Sequence, residues 1–170
     1  MQTSQNRILT THAGSLPRPP VLRHLLSSGD NADQAELAAA VAEATADTLD
    51  KQIAAGLDII NDGEMGRESF FTYVRYRMSG FGGHSDRKLM ADMTMYEGYR
   101  KKLLGMTTET DRVSLMKAPK AIAPVSYGDT GTIAAECRRL NDLLQGRVFT
   151  EAFMTAPSPG IIAAAMQNDY

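Results

Sequence analysis

The chain has 170 residues, 43% of them hydrophobic and 22% charged, a make-up that supports a buried core and argues against a disordered segment. A formal net charge of -2 leaves no basic stripe for a phosphate backbone, so nucleic acid is not an expected partner. One cysteine, Cys137, rules out a disulfide framework and any CxxC metal pair, and no signal-like leader or ~20-residue apolar run is visible, so the expected setting is cytoplasmic and away from membranes.

In chain order, residues 7–12 read as a short strand that must stop at Ala13-Gly14-Ser15-Leu16-Pro17, where glycine and proline forbid continuation. His24 follows on an apolar-rich segment as a solvated helix position. Residues 31–55 carry Leu37, Val41, Ala44, Thr48, Leu49, Gln52 and Ile53 at mostly helical spacing, with Asp30 or Asn31 as cap and Gly56 as terminator. Directly after Gly56, residues 57–61 read as a buried strand ending in Asp62-Gly63-Glu64. A helix that feeds a strand through one glycine is half of a βαβ unit.

Residues 68–116 are rich in arginine, tyrosine and methionine and read as an elaborated loop, with one helix through Phe70, Phe71, Val74 and Met78 and with His84 beside two glycines. The strand grammar then returns. Residues 121–126 form a strand, Tyr127-Gly128-Asp129 a turn, and 130–145 a helix with Ile133, Cys137, Leu140 and Leu144 on one face, where Cys137 reads as a buried, inert thiol. Residues 151–155 give a fourth strand before Ala156-Pro157-Ser158-Pro159-Gly160 and the first turn of another helix. Four strands, each followed by a loop or helix, predict an α/β fold: a single domain over 1–170 that is the N-terminal half of a (β/α)8 TIM-type barrel, truncated after about four of the eight strands.

Strand ends in such a fold carry chemistry. Gly14 and Ser15 can turn backbone N–H groups and a hydroxyl toward an anion, although a tight turn with a capping serine explains the pair equally simply. Glu64, and less so Asp62, can meet an ammonium or act as a base; the plain alternative is a carboxylate that caps the next segment or pairs with Arg67. His12, Tyr127 and Asp129 stand where they could line the same rim. His12, His24, His84 and Cys137 are scattered over separate segments, so no metal-ligand set is expected within this chain, and none of its residues is assigned a catalytic role.

Taken in order, Thr10-Thr11-His12-Ala13-Gly14-Ser15-Leu16-Pro17, Gly56-Leu57-Asp58-Ile59-Ile60-Asn61-Asp62-Gly63-Glu64, Pro124-Val125-Ser126-Tyr127-Gly128-Asp129 and Phe153-Met154-Thr155-Ala156-Pro157-Ser158-Pro159 resemble the cobalamin-independent methionine synthase family, in the first half of its catalytic C-terminal barrel. The resemblance implies methyl transfer to the thiol of homocysteine on a zinc ion that makes the thiolate. It further implies that Ala13, Gly14 and Ser15 hold the substrate carboxylate and that Glu64 binds its amino group. The family's zinc ligands belong to later strands than this chain contains. The family often has histidine at the position of Asp62, and its folate-contacting arginine and cysteine have no counterpart in 117–122, so the resemblance does not carry folate across as methyl donor. Two alternatives stand beside this reading: a related zinc-dependent alkyltransferase for another thiol such as coenzyme M, and an inactive remnant or half-barrel that needs a partner chain. Open sheet edges in a half-barrel predict self-association.

Overall fold

The computed structural model describes residues 2–85, 91–105, 118–128 and 130–170. Its elements run α1 (Pro20–Ser27), a 3-10 turn (Gly29–Asn31), α2 (Gln34–Ala54), β1 (Ile59–Asn61), a 3-10 helix (Thr72–Tyr76), β2 (Met78–Gly82), α3 (Ala91–Met95), α4 (Glu97–Gly105), β3 (Lys120–Tyr127), α5 (Gly131–Leu144), β4 (Glu151–Phe153) and α6 (Pro159–Ala165).

Pro20 opens α1, where a missing N–H costs nothing, and Leu22, Leu25 and Leu26 form the buried stripe of that helix. His24 lies exposed on its other face. The cap of α2 differs from the expectation: Asp33, not Asp30 or Asn31, accepts the N–H groups of Ala35 at 2.9 Å and Glu36 at 3.0 Å. Asp30 and Asn31 are consumed by the 3-10 turn in front of it. From there Val41, Ala44, Thr48, Leu49 and Gln52 are buried as the spacing predicts. Leu22, Leu26, Val41, Ala44 and Met65 close one small core.

Three segments run parallel. Thr11 bridges Ile59, and β1 pairs with β4 so that Ile59 faces Glu151 and Asn61 faces Phe153. The N-terminal segment is tied to the start of β1 by Asp58, which accepts the Arg7 guanidinium and, at 2.8 Å, the N–H of Thr10. The Arg7 bond and that N–H hold the Asp58 carboxyl well below the usual range. Only Thr11 of residues 7–12 enters a ladder, and Ile8 is 83% exposed, so it does not belong to an inner face. Leu49, Ile60 and Leu140 form a second core beneath β1 and β4, joined by Phe149, Ala152 and Met154.

The strand expected over 121–126 as a member of a parallel sheet is corrected. β3 pairs antiparallel with β2, Met78 opposite Tyr127 and Gly82 opposite Lys120. The register shifts between Ser79 and Phe81, and Gly80 accommodates it: at φ 91, a Cβ there would lie 2.6 Å from the Pro124 carbonyl oxygen. Side chains of β3 such as Ile122 and Tyr127 are half exposed, unlike a strand covered on both faces. The described fold is therefore mixed α/β, with one parallel and one antiparallel two-stranded sheet. The helix expected through Phe70 to Met78 is only the 3-10 helix Thr72–Tyr76, after which the chain enters β2. Cys137 is exposed on α5, because the helix turns Leu140 rather than the thiol into the core. Among the described residues no helix is long and apolar enough to cross a membrane.

Candidate functional site

The site grows from the end of β1. Gln52 on α2 grips the main chain of Asn61, receiving its N–H at 3.2 Å and donating to its carbonyl at 2.7 Å. Asn61 in turn donates its side-chain amide to the His12 carbonyl at 2.7 Å and accepts the Gly63 N–H at 2.9 Å. This buried clamp fixes helix, strand and the N-terminal segment to one another.

Two left-handed residues follow, Gly63 at φ 60 and Glu64 at φ 58. Among the described residues Glu64 has the only positive φ outside glycine, a conformation that the surroundings must hold in place. The double bend buries the Glu64 side chain, whose residue is 1% exposed. The Leu16 N–H closes the loop from the other side on the Gly63 carbonyl at 3.0 Å.

Both carboxylate oxygens of Glu64 are met by hydroxyls. Ser15 Oγ donates to Oε2, and Thr155 Oγ1 donates to Oε1 at 3.0 Å. Ser15, Glu64 and Thr155 come from the segments that follow Thr11, β1 and β4, so three neighbouring parallel segments converge at one rim. Each oxygen keeps a further lone pair for a donor, and Ser15 is exposed in front of the buried carboxylate.

Two arginines brace this group. Arg18 Nη2 donates to the carbonyls of Glu64 at 2.9 Å and Arg67 at 2.8 Å. Arg67 Nη1 donates to the Thr155 carbonyl at 2.6 Å and to its Oγ1 at 3.0 Å, and its guanidinium lies 4.7 Å from the Tyr73 ring centre. Burial lowers the Arg18 pKa, opposed by the Glu64 and Asp62 charges. Burial raises that of Asp62, opposed by Arg67.

Of the residues singled out by sequence, Ser15 and Glu64 are brought into contact. Gly14 flanks them at φ 102, and Ala13 is exposed. Asp62 turns back on its own loop, its Oδ1 accepting the Glu64 N–H at 3.2 Å, so it plays the capping role. The His12 ring contacts the Gly14 carbonyl oxygen at 3.1 Å and lines a different cleft, of about 320 Å³, with Pro17, Thr48 and Lys51. Tyr127 stands at the end of β3 beside Arg77, one layer out from Arg67 and Tyr73. Asp129 lies outside the described residues. Sequence reasoning missed Thr155 and Arg18 as parts of the cluster; the available signal was a hydroxyl at a strand end and an arginine between two prolines.

Among the described residues no group of three or more His, Cys, Asp or Glu side chains is placed to hold a metal ion. Asp62 is turned back on its own loop, and Cys137 faces solvent on α5. The described residues therefore do not fit zinc on their own.

No protein-family model matches the chain, and no curated protein matches it. Among solved structures it is similar to a B12-independent methionine synthase from Shewanella sp. W3-18-1 in complex with selenomethionine, with a TM-score of 0.63 and 21% identity over 95% of this chain. The chain spans 41% of that structure's length. At this identity the likeness is one of fold.

Proposed function

We propose that the chain belongs with the cobalamin-independent methionine synthases and forms the first part of a TIM-type barrel. In this reading the cluster of Ser15, Glu64 and Thr155 is the amino-acid end of a thiol methyltransferase site. One observation carries the reading: a buried carboxylate with a free lone pair on each oxygen, set behind an exposed serine, where three parallel segments end. Such a carboxylate suits an ammonium, because charge-assisted hydrogen bonds repay its removal from water. Gly14 and Ser15, at the open side of the cluster, would face the substrate carboxylate. Homocysteine offers both groups and a thiol. The ligands of the family's zinc and the binding of its methyl donor would come from elsewhere than these residues.

The competing thiol, coenzyme M, has a sulfonate and no ammonium, so the two readings separate cleanly. Saturation-transfer NMR on the full chain with homocysteine, 4-sulfanylbutanoate and coenzyme M tests them. Saturable transfer to homocysteine alone is the expected result. Equal transfer to 4-sulfanylbutanoate, which lacks only the amino group, would remove Glu64 from substrate recognition, and preference for coenzyme M would favour the other alkyltransferase.

A further inference from the structure

A separate cleft of about 270 Å³ lies between the end of α1, the start of α2, the 3-10 helix Thr72–Tyr76 and α5. Leu25, Leu26 and Leu37 make one apolar wall, and Glu136 with Arg77 stands in another. Glu136 gives one oxygen to Arg77 in an ion pair whose side chains are 8% (Arg77) and 12% (Glu136) exposed. Its other oxygen, Oε2, is buried and has no hydrogen-bond partner among the described residues. A carboxylate oxygen withdrawn from water needs a donor, and here the Arg77 hydrogen bond goes to the first oxygen only.

Charge and ring geometry narrow the donor. Asp30 and Glu68 also line the cleft, with Arg75 3.6 Å from Glu68 and Arg67 over Tyr73, so the count of charges selects nothing and the unpartnered Glu136 oxygen does: a charged N–H donor makes the stronger bond to a carboxylate. Aromatic faces are not what would hold it, because Arg67 and Arg77 lie over Tyr73 and Arg75 lies over Tyr76. That points away from a quaternary ammonium, which binds through ring faces, and toward a head group with N–H donors. A volume at the small end of ligand pockets limits the rest to a short stem.

We propose that this cleft binds a small primary ammonium compound, with an N–H directed at Glu136 Oε2 and a short carbon stem laid against Leu25, Leu26 and Leu37. The site is separate from Glu64 and does not depend on the reading given to that residue.

The test is amide-resolved NMR of the full chain titrated with n-butylammonium, 1-butanol and tetramethylammonium. Saturable shifts at Leu26, Gly29, Tyr73 and Thr132 are expected with n-butylammonium only. Glu136→Gln should weaken binding about tenfold, the loss of a charge-assisted bond. Because that change also strips Arg77 of its partner, Thr132→Arg serves as the second variant: Thr132 is exposed at the rim, so the added guanidinium should abolish binding with the melting temperature unchanged. Glu64→Gln should leave these shifts as they are. The proposal is overturned if n-butylammonium gives no saturable shift, meaning that water alone fills the cleft. It is equally overturned if 1-butanol or tetramethylammonium binds as well, if Glu64→Gln removes the shifts, or if a folded Glu136→Gln or Thr132→Arg binds like wild type.

Discussion

Replacing Gly63 by alanine should cost far more than the one methyl group it adds. The residue sits at φ 60, and a Cβ built there meets Thr48 Cγ2 at 2.8 Å, Met65 Cε at 3.2 Å and Leu16 Cβ at 3.3 Å. The methionine end can swing away, but Thr48 is buried on α2 with a β-branched side chain that has little rotamer freedom. Left-handed backbone costs a non-glycine residue roughly 1–2 kcal/mol. Overpacking adds about 1–3 kcal/mol. The sum is about 2–5 kcal/mol, which at roughly 2–4 °C per kcal/mol for a chain of this size lowers Tm by about 4–20 °C. Gly56→Ala is the internal control, since Gly56 has φ 78 but nothing within 4 Å of its added Cβ, so it should show the backbone cost alone. Paired thermal melts by circular dichroism measure the difference. Equal losses for the two variants would refute the steric argument and with it the picture of Glu64 held rigidly between α2 and the Ser15 loop.

Asp62→Asn should raise stability at neutral pH: burial raises the folded pKa of Asp62, so its contribution is present below the unfolded carboxylate range and lost as pH rises through the folded value, whereas asparagine keeps the acceptor for the Glu64 N–H. Melts at pH 7 and pH 4 should show the advantage shrinking on acidification, and a gap that widens instead would reverse the sign assigned to burial. Metal analysis after dialysis should find no stoichiometric zinc on the isolated chain; one zinc held per chain would make His12 or Cys137 a ligand. Size-exclusion chromatography with light scattering should show self-association through the outer edges of the Thr11–β1–β4 ribbon, and a concentration-independent monomer would count against it.

The parts of this architecture that were legible in the sequence are those decided within a few residues. The helical stripe from Leu37 to Gln52, the Gly56 stop and the strand before Asp62 follow from spacing and glycine chemistry. Ser15 and Glu64 stood out for the same reason, each next to a glycine at a strand end. What was not legible depends on partners far away in the chain. An apolar run at 121–126 says strand but not which neighbour it takes, and its antiparallel partner, β2 with the irregularity at Gly80, lies about forty residues earlier. Thr155 joins Glu64 across ninety-one positions, so its own segment marks a hydroxyl at a strand end but not the partner it meets. Asp33 took the cap from Asp30 because a 3-10 turn intervened, a choice of a few residues between several good capping side chains. Cys137 lies about one helical turn before Leu140, yet only Leu140 is buried on α5 and the thiol is exposed, a difference that spacing alone does not show.

The most direct test of the account is calorimetric titration of homocysteine into the wild-type chain and into Glu64→Gln. Glutamine fills the same space and keeps an acceptor for one of the two hydroxyls while its NH2 donates to the other, and it carries no charge for an ammonium. The account predicts saturable binding to wild type, weakened in the variant by about 1.5–3 kcal/mol, the range for a hydrogen bond to a charged group, which is roughly ten- to a hundredfold in Kd. Equal affinity for the two proteins, or no binding to wild type, would contradict it.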